Sequence, residues 1–240
     1  MHWLPYAAFE VETMTTETET SGDFTQPGMA GMVADWSGDK EAFNMHWGKL
    51  MMWIFLLSDT FIFSVFLTGY MKVRMSATDA WPNSSEVFAL SFGGEPWPLL
   101  LIAIMTFVLI TSSGTMALAV NFAHRGDVRK AVILISITAF LGASFVGMQV
   151  FEWSKLIGHE GVRPWGNPMG AAQFGSVFFM ITGFHGMHVT AGVIYLAVVA
   201  RKVGRGDYDK EGYDIVEIAG LYWHFVDLVW VFIFALFYLW

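Results

Sequence analysis

Five long apolar stretches constrain this chain more than any other feature of its sequence. The first runs from about Leu50 to Met71, with Asp59 its only charge-capable residue. The second, Leu99 to Val120, has none, and the third, Ala131 to Phe151, carries only Gln149 as a strongly polar group, with Glu152 at its edge. The fourth, Ala171 to Ala200, is free of Asp, Glu, Lys and Arg; the fifth, Ile218 to Trp240, contains His224 and Asp227. A helix of about 20 apolar residues crosses a hydrocarbon core roughly 30 Å thick, and backbone polar groups in lipid must pair within their own segment. The runs are far too long for barrel strands. The chain reads as an all-α polytopic membrane protein, a five-helix transmembrane bundle spanning about 50–71, 99–120, 131–151, 171–200 and 218–240.

Composition agrees. Charged residues make up 14% and hydrophobic ones 55%, whereas a soluble domain carries about 25% charged residues. Cysteine is absent, which removes disulfides, Cys-ligated iron–sulfur clusters, covalent haem attachment and thiolate copper centres. The net charge of −8 offers no basic surface to nucleic acid.

Residues 1–44 read as a separate acidic, flexible segment ahead of a transmembrane domain over 45–240. Glu10, Glu12, Glu17, Glu19, Asp23, Asp35, Asp39 and Glu41 face a single Lys40 there. Without a basic region followed by an apolar core, this stretch is not a secretory signal. Orientation follows from the loops. A cytoplasmic N-terminus puts Lys40, Lys49, Arg125, Arg129, Lys130, Arg201, Lys202, Arg205 and Lys210 inside, against Lys72, Arg74, Lys155 and Arg163 outside. The positive-inside bias therefore predicts an inner N-terminus and an outer C-terminus. Trp81, Trp97, Trp153 and Trp165 fall near the outer helix ends, as an interfacial aromatic belt does. The last span is expected to stop at that interface with Tyr238-Leu239-Trp240 and no domain beyond.

Ionisable groups within a bilayer are costly and mark candidate sites. Here they are Asp59, Glu152, His185, His188, His224 and Asp227. His185 and His188 are three residues apart, as are His224 and Asp227 one span later. Imidazoles in this arrangement serve either as haem or metal ligands or as members of a polar network that joins helices. The two His on one helix cannot clamp a haem from both sides, and Asp227 beside His224 suits a hydrogen-bond partner, so the expected role is a structural network with no bound metal. Asp59 reads either as a neutral carboxyl bonded to a facing helix or as a proton-handling, lipid-facing site. Glu152 is expected to pair with Lys155 or to snorkel. Arg201 and Lys202, at the inner end of the fourth span, are candidate partners for lipid headgroups. An autonomous transporter is disfavoured by the lack of internal symmetry and of paired broken helices.

Two longer motifs carry a family resemblance. Ser176-Val-Phe-Phe-Met-Ile-Thr-Gly-Phe-His185-Gly-Met-His188-Val and Tyr222-Trp-His224-Phe-Val-Asp227-Leu-Val-Trp230 resemble signature stretches of cytochrome oxidase subunit III. His124-Arg-Gly126-Asp127 and Gln149-Val-Phe-Glu152 fall in the same order, so the resemblance spans about Trp47 to Trp240. The chain is similar to the five-helix bacterial form; longer members carry an additional pair of helices at the N-terminus. Where many members read Ser-Glu, this chain has Ser58-Asp59, a version associated with quinol-oxidising and other bacterial members.

The resemblance implies a non-catalytic subunit of a haem–copper oxidase, fed by cytochrome c or quinol, in the bacterial inner membrane. Haems and copper would belong to partner subunits. The chain itself would pack beside catalytic subunit I, with subunit II and smaller subunits nearby, hold phospholipid in a cleft, and support sustained proton uptake and oxygen access. Asp59 would lie near that cleft. Consistently, His185, His188 and His224 are too few embedded ligands for the catalytic subunit, and the copper-bearing electron-entry subunit needs Cys. The alternative within this family is an accessory protein of nitric oxide reductase systems.

Overall fold

The computed structural model describes residues 47–88, 90–92, 95–97, 99–208 and 213–239, without the side chains of 86, 90–92 and 95–97. The acidic N-terminal segment, Lys40, Lys210, Trp240 and the Trp97 side chain lie outside the described residues. Among the described residues, five helices are long and apolar enough to cross a membrane. They are α1 (Trp47–Ser76), α2 (Leu100–His124), α3 (Val128–Gly158), α4 (Gln173–Gly204) and α5 (Asp214–Phe234), the last running on into a π-helical turn, Ala235–Leu239.

Most of these helices overrun the apolar stretches that predict them. At 1.5 Å per residue, the 30 residues of α1 reach about 45 Å, longer than the hydrocarbon core. Its ends carry the charged Lys49, Lys72 and Arg74; Lys49 pairs with Glu217 of α5 at 2.7 Å, and Arg74 donates to the Tyr70 hydroxyl at 3.0 Å.

The turn between α2 and α3 shows why His124-Arg-Gly126-Asp127 is a motif. Gly126 has φ 75°, a conformation that a Cβ disfavours. Asp127 then caps α3, its Oδ1 accepting from the Lys130 backbone N–H at 3.3 Å, while Oδ2 meets the Lys130 ammonium at 2.7 Å.

Helices α2, α3 and α4 are successive antiparallel neighbours; α5 returns against α2 and α4, and α1 packs on α5 and α4. Water cannot drive this association inside a bilayer, so close packing and interhelical hydrogen bonds must. Trp223 of α5 supplies both. Its ring occupies a slot left by Gly142 of α3 and Gly192 of α4, where an added Cβ at either glycine would press on the indole. Its N–H donates to Ser112 Oγ of α2 at 2.9 Å. Two turns later, the Trp230 N–H donates to Thr106 Oγ1 at 3.0 Å, and the indole meets Phe145 of α3 edge-on. Thr115 and Thr138 join α2 to α3 at 2.8 Å.

Helix α1 is the least enclosed. Leu56, Asp59, Phe63 and Tyr70 form its single buried stripe, at helical spacing. Trp47, Trp53, Phe61 and Val65 point outward.

Between α1 and α2 the sequence reading foresaw only a loop. The structure has a short helix, Ser84–Val87, and a two-stranded antiparallel ribbon, Leu90–Phe92 with Glu95–Trp97, in which Leu90 faces Trp97. This segment covers the C-terminal end of α5. Ser84 donates to the Phe237 carbonyl at 2.8 Å, and Tyr70 donates to the Leu236 carbonyl at 2.9 Å. Carbonyls at the terminal turn of a helix lack intrahelical partners, and these hydroxyls supply them.

Candidate functional site

The embedded polar residues fall into separate clusters, each at a different helix contact. Asp59 of α1 is buried and faces His188 of α4, with Oδ2 3.4 Å from Nε2. The other ring nitrogen settles the chemistry. His188 Nδ1 lies 2.8 Å from the Phe184 carbonyl oxygen, which can only accept, so Nδ1 carries a proton. Nε2 is left facing the carboxyl, at ion-pair distance but without the geometry of a hydrogen bond, so Asp59 Oδ2 has no hydrogen-bond partner among the described residues. The pair is walled by aromatic rings: Phe63 and Phe184 lie against His188 at 5.6 and 4.7 Å. Tyr222 of α5 donates to the His188 carbonyl at 3.0 Å, which ties the third helix to the pair. Asp59 is thus alone in its span but not alone in the fold.

The second cluster joins α2 to α5. Ser113 Oγ is 2.6 Å from His224 Nδ1, and the same hydroxyl faces Asp227. One hydroxyl has one proton; if it donates to the carboxyl, His224 must donate to the hydroxyl. Neither His185 nor His188 joins this cluster. The link runs instead through Ser113, because the face of α5 that carries the pair packs on α2 rather than on α4.

Of the two arrangements expected for Glu152, the structure departs from snorkelling. The residue is 3% exposed, and Oε2 accepts from Gln149 Nε2 at 3.3 Å. The Tyr238 hydroxyl of the π-helical turn faces the same carboxyl, and Lys155 reaches Glu160 at 4.0 Å. The π-helical turn and the Ser84–Val87 segment roof this end of α3, so the Glu152 side chain itself does not extend to the interface.

His185 belongs to none of these clusters. Its ring stacks on Trp230 at 5.3 Å and stands edge-on to Phe145 and Phe63. Neither nitrogen meets a hydrogen-bond partner among the described residues. A haem clamp would need two imidazoles turned to one gap, but His185 is enclosed by rings, His188 is engaged by Asp59 and Phe184, and His224 by Ser113. Among the described residues, no group of three or more His, Cys, Asp or Glu is placed to hold a metal ion.

Arg201 borders a groove of about 430 Å³ between α3 and α4, lined also by Val132, Ser136, Ala139, Ala197 and Ala200. Lys202, beside it in the last turn of α4, is exposed. At the neighbouring membrane end of α3, Lys130 holds the Asp127 carboxyl below the usual carboxylate range, through its side chain first and its backbone N–H second. Of the expected aromatic belt, Trp165 is exposed, whereas Trp153 packs on Phe179 and Trp81 on Tyr70 and Phe174.

The model of the family described as cytochrome c oxidase subunit III matches residues 29–240, beginning inside the acidic segment. The chain is 35% identical over 187 residues to quinol oxidase subunit 3 of Bacillus spizizenii, covering 78% of this chain and 83% of that protein. It is 32% identical over 195 residues to cytochrome c oxidase subunit 3 of Alkalihalophilus pseudofirmus, covering 79% and 85%. It is 31% identical over 188 residues to cytochrome bo(3) ubiquinol oxidase subunit 3 of Pseudomonas aeruginosa, covering 78% and 82%.

Proposed function

The chain belongs to the cytochrome c oxidase subunit III family, and on that premise we propose how it serves its complex. It is a multi-pass membrane subunit of a haem–copper oxidase in the respiratory chain, assembled with other oxidase subunits. In our reading it lies in the bacterial inner membrane with its N-terminus inside. It docks beside catalytic subunit I, with subunit II and smaller subunits near it, and those partners hold the haems and copper. Its own contribution is to keep protons and lipid in order around the catalytic subunit.

The observation that carries this reading is the buried Asp59–His188 pair, in which a carboxyl and an imidazole face each other at 3.4 Å inside the bundle. Such a pair can pass a proton between its two groups without creating an unpaired buried charge, because an ionised carboxyl is then matched by an imidazolium, a match that a lone carboxyl at that depth lacks. The groove beside Arg201, with Lys202 nearby, suits an acyl chain whose phosphate meets the basic side chains. Purification through this chain in mild detergent tests the reading. Haem–copper catalytic subunits should co-purify and reduce oxygen; a partner that reduces nitric oxide but not oxygen, or no partner at all, would count against it.

A further inference from the structure

Glu152, Gln149 and Tyr238 leave more polar capacity than they satisfy. Glu152 Oε1, Gln149 Oε1 and the Tyr238 hydroxyl are all buried, and none meets a well-aligned hydrogen-bond partner among the described residues. Each of the three side chains is more than nine-tenths buried. Next to them is a cavity of about 10 Å³, lined by Val87, Phe88, Leu101, Glu152, Lys155 and Leu156. A buried water needs about 10–15 Å³ and two to four polar partners. Among the lining side chains only those of Glu152 and Lys155 are polar, so they are the side-chain ligands available to a water there.

We propose that this cavity is a water-binding site with Glu152 as its principal ligand. The water donates to Glu152 Oε1 and offers a lone pair to the Lys155 ammonium, while Gln149 holds Oε2 from the other side. The titratable groups around the carboxyl are then Lys155 of α3, Tyr238 of the π-helical turn and Glu160 of the following loop. Glu152 lies six residues before the end of α3, about 9 Å along the axis. A single water bridges that carboxyl to Lys155, and Lys155 reaches Glu160 at the surface. The site thereby gives a buried carboxyl contact with the aqueous phase on the side of the membrane where α3 and α5 end. It is separate from the Asp59–His188 pair, and it stands whether or not that pair handles protons.

A structure of the intact complex at water-resolving resolution tests the site directly. It should hold one ordered water within hydrogen-bond distance of Glu152 Oε1 and Lys155 Nζ. A direct Glu152–Lys155 or Glu152–Tyr238 contact that closes the cavity would overturn the proposal, as would a water bonded only to backbone. Hydroxyl-radical footprinting of the same complex gives a second readout without any variant. Radicals form where water is bound, so Leu156 and Phe88 should be modified several-fold more than Leu109, which is buried but does not line this cavity. Equal modification of the three would contradict the site. In a Leu101→Phe variant, the larger ring should displace the water and bring Leu156 down to the level of Leu109; persistence of the excess would show that the modifying water lies elsewhere.

Discussion

Asp59 on α1 and His188 on α4 face each other at 3.4 Å, and the Phe184 carbonyl holds the far side of the imidazole. Asp59→Asn keeps the shape of the side chain and its ability to bond Nε2 but removes the exchangeable acid. The assembled oxidase should then keep its haem spectrum and near-normal initial turnover, yet lose activity faster during sustained turnover. Progress curves at several pH values check this. A lost haem signal in an assembled variant would move Asp59 closer to the redox chemistry, and unchanged endurance at every pH would reduce it to a packing residue.

Gly142 and Trp223 give a purely structural prediction. A Cβ at position 142 runs into the indole, whereas one at Gly147 meets open space. Overpacking costs about 1–3 kcal/mol, so Gly142→Ala should lower the thermal stability of the purified complex while Gly147→Ala should not. Equal midpoints for the two variants would mean that α3 and α5 are less closely seated than described.

Ser113→Ala should weaken the α2–α5 contact. It strands the His224 ring nitrogen and removes a partner of Asp227, at about 1–3 kcal/mol for a buried group left unpaired. Thermal unfolding in detergent should show the loss, and Ser113→Thr, which restores a hydroxyl, should recover part of it. No change in Ser113→Ala would show that the hydroxyl is not the link.

These contacts also show where sequence reading stops. The five spans were legible because apolar runs of this length, with at most one charge-capable carboxyl each, have one solution in lipid. The clusters were not. His185 and His188 share a face by sequence spacing, but three residues advance a helix by about 300°, so the rings diverge by about 60°. In a crowded bundle that angle turns one toward Trp230 and the other toward Asp59. The Asp59–His188 and Ser113–His224 partners lie on different helices, and no local pattern announces which helices will touch. Glu152 was read as an interfacial side chain because its distance from the end of α3 allows snorkelling; the roof built by Ser84–Val87 and the π-helical turn is invisible at that range.

Asp127 supplies a pH test at the α2–α3 turn. Its carboxyl is held below the usual range by Lys130, so the stabilisation it gives is present above the unfolded value of about 3.9 and is lost as pH falls through the folded value. Asp127→Asn retains a cap oxygen but cannot titrate. The difference in thermal midpoint between wild type and this variant should therefore be constant near neutrality and vanish on acidification. A difference that persists at low pH would mean that the ion pair with Lys130 is not its source.

The central claim is that this subunit sustains the oxidase without holding a redox centre. It is tested most directly by removing the chain from the purified complex and adding it back. The depleted complex should keep its haem and copper content and most of its initial oxygen-reduction rate but lose activity over repeated turnovers, and the added chain should restore endurance without bringing any haem absorbance of its own. Loss of haem from the complex with the chain, or a depleted complex that endures as long as the intact one, would contradict the account.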